Sequence, residues 1–322
     1  MTKDSSFYPH PPQEDLKFQI SRPDAFTPFS RTPWAGKAIA KLKENAYPWM
    51  KSLPPIGESW EALTPPIKDE ALLLKWLSTN KVLSLQVHPS LKDQNLNAGF
   101  SGKPEGWLIV EPREDAYVIL GFSYKNSKEQ LIQKIKAHNI QKEDLFIYKP
   151  KPMEYICVPP GCVHAMGPGL FAIEPQVILT HHEGVTFRIS DWGRTYDPSG
   201  KEDPKGQLRD LHIEESLASI DWSLPREDEF KKKYIYSFNQ NLNIVKPHLG
   251  NPFEVQVFQD KDWQLKHPKN YYVYTSWSGS TEISIDEETV TISCGSLWIG
   301  PHAKSIKAHV KGLGALFSWK TT

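Results

Sequence analysis

Apolar positions along this chain of 322 residues follow two rhythms. A helical spacing runs through 36–45 and again through 69–78, where Leu72, Leu73, Trp76 and Leu77 would share one face. Most of the remaining pattern alternates. The segment 81–87 reads as a strand, with Val82, Ser84 and Gln86 on one face and Leu83, Leu85 and Val87 on the other. Two further strands, 107–110 and 116–120, flank the turn residues of 111–115. Ser127 and Gln130 form a capping box ahead of Leu131, Ile132 and Ile135, which predicts a helix. Strands follow at 155–158, 171–173 and 186–189. The Gly-, Pro- and Asp-rich tract 191–207 reads as loop, and 211–220 as a short helix. From about residue 231 the pattern is almost purely β: 254–258, 271–276, 282–285, 289–293, 297–299 and 315–319, with turns at Gly279, Asp286 and Gly295.

Many short strands at regular spacing predict a mainly all-β protein built as sandwiches or barrels. The length suits two β-domains, divided near 230–245 into 1–235, with the helical insertions, and 236–322. Residues 1–35 are proline-rich and are expected to wrap the surface or add an edge strand. The balance of 38 basic and 38 acidic residues gives no reason to expect nucleic acid or an anionic membrane as partner. Three cysteines imply no disulfide framework. No signal peptide is read in 1–9 and no apolar run is long enough to cross a bilayer, so a cytoplasmic location is the expectation.

The polar face of 81–87 changes the picture. Continued to His88, it puts Ser84, Gln86 and His88 inward, and buried polar groups without partners cost about 1–3 kcal/mol each. A ligand or a network is therefore expected there. Glu105 precedes the apolar run 107–110, and His164 follows Pro159-Pro160-Gly161 by three residues. Two imidazoles, one carboxylate and an amide suit one divalent ion such as zinc, iron or manganese, with a coordination position left open. The adjacent His181 and His182 lie on a polar loop and are read as solvated. Trp60, Trp107 and Trp192 are read as core, although an aromatic at the mouth could stack on a sugar.

In order along the chain stand Gly57-Glu-Ser-Trp-Glu61, Gln86-x-His88-Pro89, Lys103-Pro-Glu105, Pro159-x-Gly161-x-x-His164-Ala165 and Arg188-x-x-Asp191-x-x-Arg194. These motifs resemble the short bacterial form of the type I mannose-6-phosphate isomerases, specifically over about 30–220 and by architecture to the end. The resemblance implies two cupin (jelly-roll) domains, the second without its own metal, and one zinc ion per chain. It also implies a sugar phosphate as substrate. It places the zinc ligands on His88, Glu105 and His164, with Gln86 completing the set. The catalytic arginine falls on Arg188, a pocket lysine on Lys103 and a pocket glutamate on Glu174. The chain departs from the family pattern at 176–187 and 196–206, and at Met153 and Asp210.

Such a reaction moves a proton between C1 and C2 through an enediolate. Arg188 suits negative charge better than base work. Glu174, Lys103 and a metal-bound water all stay open as the base. Ser84, Lys103 and Arg188 are the candidates for holding substrate. Two other readings keep the fold. One is a non-haem iron oxygenase, which shares the two-His, one-carboxylate set. The other is a non-catalytic sugar-binding cupin.

Overall fold

The structure, a computed structural model, describes residues 33–44, 48–52, 54–198, 200–266, 270–285, 288–300 and 305–321. The expectation for 1–35 thus lies outside the described residues except for its last three, of which Ala35 bridges to Thr79. Three large antiparallel sheets carry the chain, as the all-β reading expects. The first orders its six strands as Glu58–Leu63, Glu70–Ser78, Leu170–Leu179, Glu105–Pro112, Glu154–Val158 and Ile235–Ser237. The second runs Phe187–Ser190, Leu85–Val87, His164–Met166, Val118–Phe122 and Leu145–Tyr148. The third, of seven strands, is built from residue 244 onward around the paired long strands Tyr272–Ile285 and Ile306–Trp319.

The predicted helix over 69–78 is instead the strand Glu70–Ser78, every residue of which is buried. Leu72, Leu74 and Trp76 join a core that also holds Phe253, Val255 and Phe317 of the third sheet. The alternate residues Ala71 and Leu73 pack with Leu63 and Ile178 on the opposite face. A strand covered on both sides loses its polar alternation, and a continuous apolar run then imitates helical spacing. Lys75, one step further along that second face, is the lone charged residue in the run from Ala71 to Ser78.

Other elements differ at their edges. Only Leu85–Val87 of 81–87 is strand. The carbonyls of Val82 and Leu83 accept bonds from Arg194 Nη1 at 2.7 Å and Trp192 Nε1 at 2.6 Å, so side chains cap the backbone there. The purely β stretch from 231 begins later than its pattern suggested, after the helix Glu227–Tyr234. Two buried residues four apart, Phe230 and Tyr234, anchor that helix, with acids in its first turn and lysines in its last. The capping box forms as read: Gln130 N donates to Ser127 Oγ and Ser127 N to Gln130 Oε1. The helix it starts, Lys128–Lys136, buries Leu131 and Ile135 against the outer face of the second sheet. Among the described residues no helix is long and apolar enough to cross a membrane.

One buried ion pair ties distant parts together. Lys43, on the helix Ala38–Lys43, is fully buried. It donates to Glu61 Oε2 at 2.8 Å and to the Gly295 carbonyl at 2.7 Å, in the third sheet's turn. Ser59 donates to the other oxygen of Glu61.

The strands predicted at 271–276 and 282–285 are one strand, and Gly279 lies inside it rather than in a turn. It pairs with Gly312, one residue past a register shift between Ser276 and Ser278. With φ of 72°, Gly279 sits where L side chains are strained, and a Cβ there would meet Lys311 O at 1.8 Å. Gly279→Ala is expected to destabilise the protein by roughly 1–3 kcal/mol, read as a lower urea midpoint.

Candidate metal centre

Strand pairing sets the site. Arg188 pairs with Gln86, Gln86 with His164, and His164 with Leu120, so these side chains form one row on the inner face of the second sheet. Leu85 and Val87 point the other way, into the core covered by helices. On the facing first sheet, Trp60 pairs with Lys75, Lys75 with Glu174, and Gln176 with Glu105. The structure therefore brings His88, Glu105, His164 and Gln86 to one point between the two sheets.

The donor geometry suits a single ion. Ligand atoms of His88, Glu105 and His164 all lie within 4.8 Å of one another, and all three residues are buried. Glu105 Oε2 is 3.4 Å from His88 Nε2, and Oε1 is 3.1 Å from His164 Nε2. Ligands about 2.0–2.1 Å from a tetrahedral centre stand about 3.3 Å apart, which these spacings match. The Nδ1 atoms face carbonyls, of Val185 for His88 and of Cys162 for His164, both at 2.9 Å. Those contacts place the ring protons on Nδ1 and turn the Nε2 lone pairs inward. Glu105 Oε1 is buried with no hydrogen-bond donor. Gln86 Nε2 faces both rings, at 3.5 and 3.3 Å, while its Oε1 accepts from Ser84 at 3.3 Å. Amides coordinate through oxygen, so joining an ion requires a half-turn of this amide.

Two residues that the sequence reading passed over complete the surroundings. Gln176 Nε2 donates to Glu105 Oε2 at 2.8 Å and fixes the carboxylate's orientation. Lys75, 5% exposed, stands 3.3 Å from Glu174 and 3.9 Å from Glu58, over the ring of Trp60. Its alternation with the apolar residues was hidden once 69–78 was read as helix. Gln176 stood two residues beyond Glu174 on a strand predicted to end at 173. Trp107 is buried as expected, and its Nε1 also donates to Glu174 at 3.1 Å, with its ring edge-on to His164.

Burial dominates the electrostatics. It pulls the Lys103 ammonium down, partly offset by Glu105. It pushes the Glu174 carboxyl up to about 7, with Glu105 adding to the rise and Lys75 and Lys103 opposing it. Burial also acts to lower Lys75, but Glu174, Glu58 and Glu105 outweigh it and leave the ammonium raised. Arg188 donates through Nη1 to the Asp210 carbonyl at 2.8 Å. His181 and His182 are exposed and stay apart from the cluster.

Comparison with known proteins agrees with this picture. No family model matches the chain. Mannose-6-phosphate isomerase ManA of Bacillus subtilis is 35% identical over 151 residues, 47% of this chain and 44% of that protein. Mannose-6-phosphate isomerase of Streptococcus mutans is 35% identical over 150 residues, 45% and 42% of the two chains. The matched segments thus span less than half the length of these curated relatives. Two crystal structures share the fold. That of the Bacillus subtilis mannose 6-phosphate isomerase has a TM-score of 0.72 at 20% identity, covering 94% of this chain and 100% of that one. The apo form of the Salmonella typhimurium mannose 6-phosphate isomerase gives 0.63 at 14%, covering 95% and 100%. The resemblance to type I mannose-6-phosphate isomerases read from the motifs therefore holds in sequence and in cupin-like architecture.

Lys75→Met removes the cation nearest Glu174, so that carboxyl should rise further above its folded value of about 7. Below that pH both proteins hold Glu174 largely protonated, so the deficit of the variant in urea unfolding should be small in acid and should grow as pH climbs past about 7.

Proposed function

We propose that this protein is a metal-dependent aldose–ketose isomerase that interconverts mannose 6-phosphate and fructose 6-phosphate, with one zinc ion held by His88, Glu105 and His164 and completed by Gln86. The observation that carries this reading is the convergence of two inward Nε2 atoms on one buried carboxylate. When bound, the ion supplies a Lewis acid for the oxygens at C1 and C2.

The chain's own residues do the remainder. Gln176 keeps Glu105 from rotating, and Trp107 walls the pocket beside His164 while orienting Glu174. Two of the chain's groups are the candidates to carry the proton between C1 and C2: Glu174 on the first sheet, and Lys103, two residues before Glu105. Arg188, one strand beyond Gln86, supplies fixed positive charge for the enediolate or the phosphate. Ser84 acts on the substrate side through Gln86. On this reading residues 1–235 form the catalytic domain, although its first sheet carries on across that boundary through the strand Ile235–Ser237. Residues 236–322 form a second module whose interior is filled by Trp263, Tyr274 and Trp298.

The test couples fructose 6-phosphate formation to a dehydrogenase assay. Chelation should abolish turnover and zinc should restore it. Glu105→Gln or His164→Ala should lower turnover roughly a thousandfold or more, with metal content falling in parallel. Of Glu174→Gln and Lys103→Met, the one that removes the proton carrier should lose about 10²–10⁴ in kcat. Metal-loaded protein without turnover, or with substrate-dependent oxygen uptake, sinks the proposal.

A further inference from the structure

We propose that Arg209, clamped between Asp191 and Tyr196, is a second guanidinium that receives the substrate's phosphate beside Arg188 and sets the preference for phosphorylated over neutral sugars. This rests on the isomerase reading above.

The edge of the second sheet explains the placement. Beyond Phe187–Ser190 the neighbour is the segment 209–212: His212 N donates to the Arg188 carbonyl at 2.8 Å, and Arg188 N donates to His212 Nδ1 at 3.1 Å. That docking carries Arg209 alongside Arg188. Along the sheet, Arg188 lies two strands from His164, roughly 10 Å at ordinary strand spacing. A six-carbon sugar with its reacting end at the metal centre and a phosphate at the other bridges such a span.

Three guanidiniums meet here, and their partners differ. Arg194 is consumed by the protein: its donors end on the Val82 carbonyl, the Asp191 carbonyl and Asp191 Oδ1. Arg209 donates through Nε to Asp191 Oδ2 at 2.7 Å and through Nη2 to Tyr196 OH at 3.0 Å, and stacks 4.6 Å over the tyrosine ring. Its side chain is still 30% exposed. Arg188 has a buried Nε with no acceptor. Burial, then Arg209, pull the Arg188 pKa down, while Asp191 and Asp210 act against them. Two arginines thus stand close together, the buried Asp191 carboxylate is taken by Arg194 and Arg209, and Arg188 carries an orphan donor. A dianion relieves both the repulsion and the unpaired N–H. The clamp on Arg209 means that little side-chain freedom is lost on binding.

The measurement compares metal-loaded wild type, Arg209→Ala and Arg209→Lys. For Arg209→Ala, KM for mannose 6-phosphate should rise about 10- to 100-fold with kcat within a few-fold. The inhibition constant of inorganic phosphate should rise by a similar factor, slow turnover of unphosphorylated mannose should not change, and Arg209→Lys should recover part of the loss. A fall in kcat with KM and phosphate inhibition unchanged overturns the assignment and leaves Arg209 as a buttress for Asp191. If Arg209→Ala does not fold, Arg209→Lys and Arg209→Gln carry the same comparison. If the wild type does not isomerise the sugar phosphate, the isomerase reading fails on its own. Thermal shift with inorganic phosphate then decides the anion site: protection lost in the variant supports it, and protection retained overturns it.

Discussion

Placing the Glu105 carboxylate between two sheets, with almost no access to water, is the constraint that organises this molecule. An isolated carboxylate in such a place costs far more than any single packing contact returns. The amide of Gln176 answers part of that cost, while the two inward Nε2 lone pairs, 3.1 and 3.4 Å away, leave the rest to positive charge. Around them the charges alternate: Lys103 and Lys75 on one side, Glu174 and Glu58 beyond. Removing any member leaves a neighbour uncompensated, so the pocket behaves as one electrostatic unit. A bound cation would complete the same balance.

The sheets deliver most of these groups by pairing, with His88 and Lys103 just outside the strand ends. The row Arg188, Gln86, His164 is fixed by register, as is Glu105 opposite Gln176. A slip of one residue in either sheet would turn every polar group outward and bring leucines and valines in. The outer faces prevent this. Leu85, Val87, Ala165 and Ile189 are locked under the helices of the second sheet, and Leu72, Leu74 and Trp76 against the third sheet's core. Precision at the site is thus bought by packing on the faces that never meet substrate.

How much of this was legible depends on where the polar pattern survived. Gln86 and His88 could be read because they alternate with leucine and valine on a strand with one polar face. Lys75 could not, because its strand is apolar on both faces and a single lysine among leucines looks like a solvated helix position. Gln176 was missed with the second half of its strand, which runs on through Pro175 to Leu179. Arg209 stood in a family-like segment but carried no readable role, since its partners Asp191 and Tyr196 are 18 and 13 residues away and meet it only through folding. The fused strand at Gly279 shows the same limit: glycine reads as a turn, whereas here it admits a close backbone approach.

The ion pair of Lys43 and Glu61 has a consequence for how the chain melts. Glu61 and Ser59 face the third sheet, while Glu58 and Trp60, their immediate neighbours, face Lys75 and the pocket. One short strand is therefore shared property of both halves, and the carbonyl of Gly295 closes the link from the far side. Loosening the C-terminal sheet would drag on the strand that supports the pocket's charges. The halves are thermodynamically welded, so heating should produce one cooperative transition, with the pocket and the distal sheet lost together.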